Sequence, residues 1–208
     1  MNQAMAKRAG HWRRYRALYL LLAVTLAPVI LSYVAYYVAP PEGRTNYGTL
    51  IEPQRPLPKV NAIGPDGTSL DVQALQGKWL FVMVDGGACD EHCNAKLFHM
   101  RQQRTATGKD MDAIERVWFI TDKEPLSTLL MREYEGTLFL RVDEHALRTF
   151  LPVPDAPNAT LRDHIWVVDP AGNVMLRWPR NPDPKGTRSD VARLLKAASI
   201  WTRIERNP

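Results

Sequence analysis

Residues 17–38, ALYLLLAVTLAPVILSYVAYYV, carry no charge, and this run limits the chain's possible folds more than any other. At 1.5 Å per residue it is long enough, as a helix, to cross a hydrocarbon core of about 30 Å. Pro28 interrupts it, which membrane helices tolerate, and Trp12, Tyr15, Tyr33, Tyr36 and Tyr37 suit the two interfaces. A cleaved signal would have a shorter apolar region and a small-residue cleavage site; Ala35, Ala39 and Pro40 make a poor one, so an uncleaved single span is expected.

Residues 1–16 carry Lys7, Arg8, Arg13, Arg14 and Arg16 and no acid, which assigns them to the cytoplasm. With 27 basic and 22 acidic residues overall, these five account for the whole excess of positive charge. The net charge of +5 is therefore a topology signal, and a nucleic-acid partner, which needs a basic face on a folded domain, loses its support. The expected address is a bacterial inner membrane, with the C-terminal part in the periplasm, where cysteines can be oxidised.

Beyond the span, residues 39–59 hold Pro40, Pro41, Pro53, Pro56 and Pro58 and read as a stalk or a strap. From residue 60 to 208 the pattern becomes that of one α/β domain. Gly64-Pro65-Asp66-Gly67 marks a turn between short strands, and Trp79-Leu80-Phe81-Val82-Met83-Val84 is a buried strand. A partly exposed helix is expected from Cys93 to about Thr107, then strands over 116–121 and 138–142 with a helix over 126–134 between them. Residues 164–168 and 174–178 form a hairpin about Asp169-Pro170-Ala171-Gly172-Asn173. A last helix is expected from Asp190 to about Ile204, capped by Ser189, and the proline-rich 151–157 reads as a rim.

The chemistry centres on the only two cysteines, in Cys89-Asp90-Glu91-His92-Cys93, between the buried strand and the next helix. At i and i+4 of a helical turn they share a face, and the helix N-terminus favours thiolates. The spacing satisfies a disulfide, and two soft thiolates with one imidazole also suit Cu(I) or zinc. Asp85 is either an acid near the thiols or a turn residue. His92 either tunes a thiol, joins a metal or faces solvent, while His99 and His145 read as surface residues. No Gly-rich phosphate loop, HExxH helix or nucleophile elbow is present, so nucleotide chemistry, zinc proteolysis and serine hydrolysis have no support.

These elements resemble a thioredoxin-like fold, a central mixed sheet flanked by helices, here with one N-terminal transmembrane helix. More narrowly, the anchor, the CxxxC after the first central strand and the distal His before a strand ending in Asp-Pro-x-Gly resemble the Sco/SenC family of cytochrome c oxidase assembly proteins. The resemblance runs over roughly 47–178 and implies Cu(I) held by Cys89, Cys93 and His164. It also implies delivery of copper to the CuA centre of oxidase subunit II, or reduction of that centre's cysteines, with subunit II or other oxidase assembly factors as partners. The chain departs from the family in having Asp90 and Asn94, not proline, after each cysteine. Val84-Asp85-Gly86-Gly87-Ala88 lacks the usual aromatic and threonine, and the interval from His164 to Gly172 is short. A general thiol-disulfide oxidoreductase, or a non-catalytic assembly factor with a structural disulfide, stands as the alternative.

Overall fold

The computed structural model describes residues 3–37 and 46–206, with the side chains of 15–35, 37 and 46–198. The chain forms two compact units, Met1–Thr45 and Asn46–Pro208. The first is helix α1, Gln3–Tyr37, whose segment Tyr15–Ala35 is long and apolar enough to cross a membrane. Pro28 lies inside it, and the Thr25 hydroxyl donates back to the Leu21 and Leu22 carbonyls, 3.0 Å each, so its polar group is spent within the helix.

The second unit is built on one eight-stranded mixed sheet in the order β1-β8-β7-β4-β5-β6-β2-β3. Its strands are β1 Thr49–Pro56, β2 Asn61–Ile63, β3 Ser69–Asp71, β4 Trp79–Asp85, β5 Ile114–Ile120, β6 Thr137–Arg141, β7 Ile165–Val168 and β8 Asn173–Trp178. Strand β5 runs parallel to β4 and β6, whereas β7, β8 and β1 continue the sheet antiparallel on the other side. Every residue of β4 is buried, as expected of a strand covered on both faces.

Alternation along β4 divides the core. Leu80, Val82 and Val84 pack with Trp166, Val168, Leu147 and Phe150 on one face. Phe81 and Met83 pack on the other with Cys93, Leu97, Met100 and Trp178. That second face is covered by α2, Glu91–Ala106, α3, Thr128–Glu133, and α5, Pro184–Arg206; on the first lies α4, Glu144–Phe150.

Three elements differ from the sequence reading. Of the 39–59 stretch, 39–45 lies outside the described residues, and Thr49–Pro56 is an edge strand against β8, the strap of the two readings. Prolines are admitted there because an edge strand leaves N–H groups free of the ladder. Helix α5 starts at Pro184 and not near Asp190: Asp183 accepts from Gly186 N–H at 2.7 Å, and a proline in the first turn needs no N–H partner. Asp190 is instead buried, accepting from the Tyr47 and Gly48 amides at 2.8 Å each and from Trp178 Nε1 at 3.2 Å, so it ties α5 to the lead into β1 and to β8. Helix α4 was not expected; Asp143 caps it through His145 N–H at 3.1 Å, and Leu147 and Phe150, three apart, bury its single apolar side.

Candidate functional site

At the end of β4 the chain turns through Gly86 and Gly87 into Cys89, whose φ of 44° lies in the left-handed region. Both glycines are required by close approach. A Cβ at Gly86 would overlap the Asp122 carboxylate and one at Gly87 the Glu124 carbonyl, and Gly87 N–H donates to Asp122 Oδ1 at 2.9 Å. Arg141 fixes that neighbouring loop by donating to the carbonyls of Asp122 and Glu124.

Asp90, in place of a proline, is the N-cap of α2, its carboxylate accepting from Cys93 N–H at 2.8 Å. Asn94 accepts from the Tyr134 hydroxyl and so joins α2 to α3. Cys89 and Cys93 are linked by a disulfide, with Cα atoms 5.1 Å apart. Their environments differ. Cys93 is fully buried in the core beneath α2, and Cys89 is half-buried at the mouth of the helix.

One turn beyond Cys93, on the helix expected to be partly exposed, α2 buries a charged side chain. Lys96 is 2% exposed and pairs with Asp85 at 2.7 Å. It also donates to the carbonyls of Val84 at 3.0 Å and Arg162 at 2.5 Å. Burial pulls the Lys96 ammonium below its ordinary value, and Asp85 acts against that shift. Alternation settles Asp85: as an odd-numbered residue of β4 it points to the α2 face, so it is an acid beside the cysteine helix and not a turn residue. The signal missed in the sequence was the pairing of an acid at the strand end with a lysine whose helical spacing matches that of Leu97 and Met100.

The strand beginning after His164 does lie beside β4, with Ile165 opposite Met83, and the Arg162 carbonyl is brought over α2 through Lys96. The imidazole, however, is not brought to the sulfurs. Ile165 and Val167 face Cys93, whereas Trp166 faces the opposite core, and His164 continues the alternation of Trp166, with the two rings edge to face at 5.8 Å. Its Nδ1 bonds the Trp178 carbonyl at 3.0 Å, and burial holds the imidazole below its ordinary value. Among the described residues no group of three His, Cys, Asp or Glu side chains gathers to hold a metal ion. Among the described residues Cys89, Cys93 and His164 are not gathered into one ligand set, since His164 stands in strand register with the face of Val84 and Trp166. His92 and His99 are also half-buried and not surface residues; both line a groove along α2.

A half-exposed cysteine ahead of a helix N-terminus, bonded to a buried one inside it, on a mixed sheet with helices on both faces, defines a thioredoxin-like domain. The model of the family described as "Transmembrane-like, thioredoxin-like, C-terminal domain" matches residues 79–198, and the chain belongs to that family. No curated protein matches its sequence. Among solved structures, yeast Sco1 with copper bound aligns with a TM-score of 0.53 and 15% identity over 74% of this chain and 95% of that one. Apo Sco1 from Thermus thermophilus gives 0.53 and 17% over 72% and 96%. A SCO1/SenC family lipoprotein from Bacillus anthracis gives 0.53 and 13% over 70% and 99%. At these identities the likeness is one of fold.

Proposed function

We propose that the chain is a membrane-anchored thiol-disulfide exchange protein whose Cys89–Cys93 pair serves exported partners, with cytochrome c oxidase subunit II or an oxidase assembly factor as the target that the Sco-like fold suggests. The observation that carries this reading is the asymmetry of the pair: Cys89 is accessible at the helix mouth and Cys93 is buried one turn inside. In the reduced protein the Cys89 thiolate attacks a partner disulfide, forming a mixed disulfide and releasing one partner thiolate. The Cys93 thiolate then attacks Cys89 Sγ, releasing the second partner thiolate and leaving the Cys89–Cys93 bond. Two electrons pass to the partner, and its thiolates take up the two protons the pair gave up. A dithiol donor protein returns the pair to the reduced state. The helix N-terminus stabilises the thiolates in this cycle, while Asp85 and Lys96 form a buried charged pair beside Cys93.

Copper delivery is the second reading, favoured by the two soft sulfurs at i and i+4 and by the copper-bound Sco1 neighbour. His164 counts against three-ligand copper: its ring packs on Trp166, across the sheet from Cys93, and its Nδ1 bonds the Trp178 carbonyl. The two readings separate in a Cu(I) titration of the reduced full-length chain in detergent against a competing chelator. Exchange alone gives no binding beyond that of the Cys89→Ser, Cys93→Ser double variant, and a measurable reduction potential. Tight Cu(I) binding lost in that double variant would restore the chaperone reading. The orientation is tested separately: alkaline phosphatase fused after Pro208 should be active, and an inactive fusion would reverse the topology.

A further inference from the structure

Beyond residue 16 the basic and acidic residues balance, yet they are not evenly placed. Helix α5 holds Lys185, Arg188, Arg193, Lys196, Arg203 and Arg206 against two acids, Asp190 and Glu205. At about 100° per residue the six cations fall within an arc of about 140°, and both acids fall on the side of Val191, Leu194 and Ala198. That side is the packed one: Val191 and Leu194 meet the core, and Asp190 is buried on the Tyr47 and Gly48 amides. The other side is open. Lys185, Arg188, Arg193 and Lys196 are exposed, as are Ser189 and Ala192 between them. By helical register Arg203 and Arg206 continue the row, to about 32 Å from Lys185.

Local preferences oppose this row. Lys185 and Arg188 stand near the helix start, where the dipole favours acids, and the first turn has none. The cations also pair three residues apart, Lys185 with Arg188, Arg193 with Lys196 and Arg203 with Arg206, and like charges that are neighbours on a helix repel. Among the described residues no ion pair relieves Lys185, Arg188 or Arg193. On α2, by contrast, Arg101 and Arg104 are spent within the domain, donating to the Glu133 carbonyl at 3.0 Å and the Ile114 carbonyl at 2.8 Å.

We infer that the outward face of α5 binds the anionic phospholipid headgroups of the bilayer in which α1 is anchored. This rests on the anchored reading above, and the exchange chemistry plays no part in it. A single Lys or Arg gains little at an anionic surface, and only within a Debye length of about 8 Å, so a contact of this kind needs a row of them. The span supplies the rest: a domain tethered to a bilayer meets its headgroups at high effective concentration. A single-stranded nucleic acid finds no ring to stack on, since Ser189 and Ala192 are what separates the exposed cations.

The test places the full-length chain in lipid nanodiscs of phosphatidylcholine alone, or of three parts phosphatidylcholine to one of phosphatidylglycerol. Acylation of its lysines by a soluble amine-reactive ester is followed by peptide mass spectrometry. Lys185 and Lys196 should react at least about threefold more slowly in the anionic discs, and high salt should abolish the difference. Lys109 and Lys123, exposed elsewhere on the domain, should react alike in both. Arg188→Glu combined with Arg193→Glu should remove the protection. Equal rates at Lys185 and Lys196 in the two discs, or protection unchanged in that variant, overturns the inference. Protection by added polyuridylate or polyglutamate, with none from phosphatidylglycerol, overturns it in favour of a nucleic acid or an acidic protein. A chain that co-purifies with neither disc overturns the anchored reading and the inference with it.

Discussion

The two faces of the sheet at the open end of β4 receive similar raw material and do different things with it. On the α2 face, Asp85, Cys93 and Lys96 are buried within one strand-to-helix passage, and the charges are paired. On the opposite face, His164 is buried against Trp166 and spends one ring nitrogen on the Trp178 carbonyl. Alternation along two neighbouring strands is enough to separate them, since one residue of register exchanges faces. A titratable side chain near a CxxxC in sequence thus belongs to its chemistry only when its strand parity is right.

The comparison breaks most readily at the cysteines. The double variant Cys89→Ser, Cys93→Ser should lose all exchange with capped cystine, and Cys93→Ser alone should stall as a mixed disulfide, visible by mass spectrometry. His164→Ala should leave the exchange rate and any Cu(I) affinity within about twofold of wild type; a Cu(I) affinity that drops with His164 would join the two faces into one site.

Next in size is the buried pair. Lys96→Met leaves Asp85 without its partner and should cost about 3–5 kcal/mol in urea unfolding. Adding Asp85→Leu should recover most of that loss; a deficit as large as in the single variant would mean that Lys96 matters mainly for its bonds to the Val84 and Arg162 carbonyls. Smaller still is the cap: Asp90→Ala should destabilise by about 1 kcal/mol, and Asp90→Asn should recover most of it.

The smallest effect concerns protons on both faces. Burial lowers the His99 and His164 imidazoles from 6.5, so the unfolded chain binds more protons between those depressed values and 6.5. Their contribution to stability is complete above that window and is lost as pH falls through it. Urea midpoints measured near neutrality and in mild acid should therefore fall on acidification, and less steeply in His164→Gln; equal slopes would remove His164 as a contributor.

Much of this was legible in the sequence where periodicity and turn chemistry are strong. The apolar run, the all-buried β4, the Gly64–Gly67 turn and the hairpin about Asp169–Asn173 follow from local pattern alone, as does the position of the cysteines between strand and helix. What stayed hidden depended on partners distant in sequence. Lys96 reads as a solvated helix residue until Asp85 and the Arg162 carbonyl are placed beside it. Ser189 and Asp190 look like a helix start, but Asp190 was needed to satisfy the Tyr47 and Gly48 amides, and Asp183 with Pro184 took the cap. His164 matched a motif by its place before a strand ending in Asp-Pro-x-Gly, despite the short interval to Gly172, and its face was decided by strand register.

The Gly86-Gly87 step limits how this motif can drift among related chains. Any substitution that adds a Cβ at position 87 must be accompanied by withdrawal of the Glu124 carbonyl, and one at position 86 by a shorter or displaced side chain at 122. Since Arg141 holds the carbonyls of Asp122 and Glu124 in that loop, a fourth position is drawn in. Positions 86, 87, 122 and 141 should therefore covary as a unit. Related chains with a bulky residue at position 86 or 87 are expected to differ in the β5–α3 loop as well.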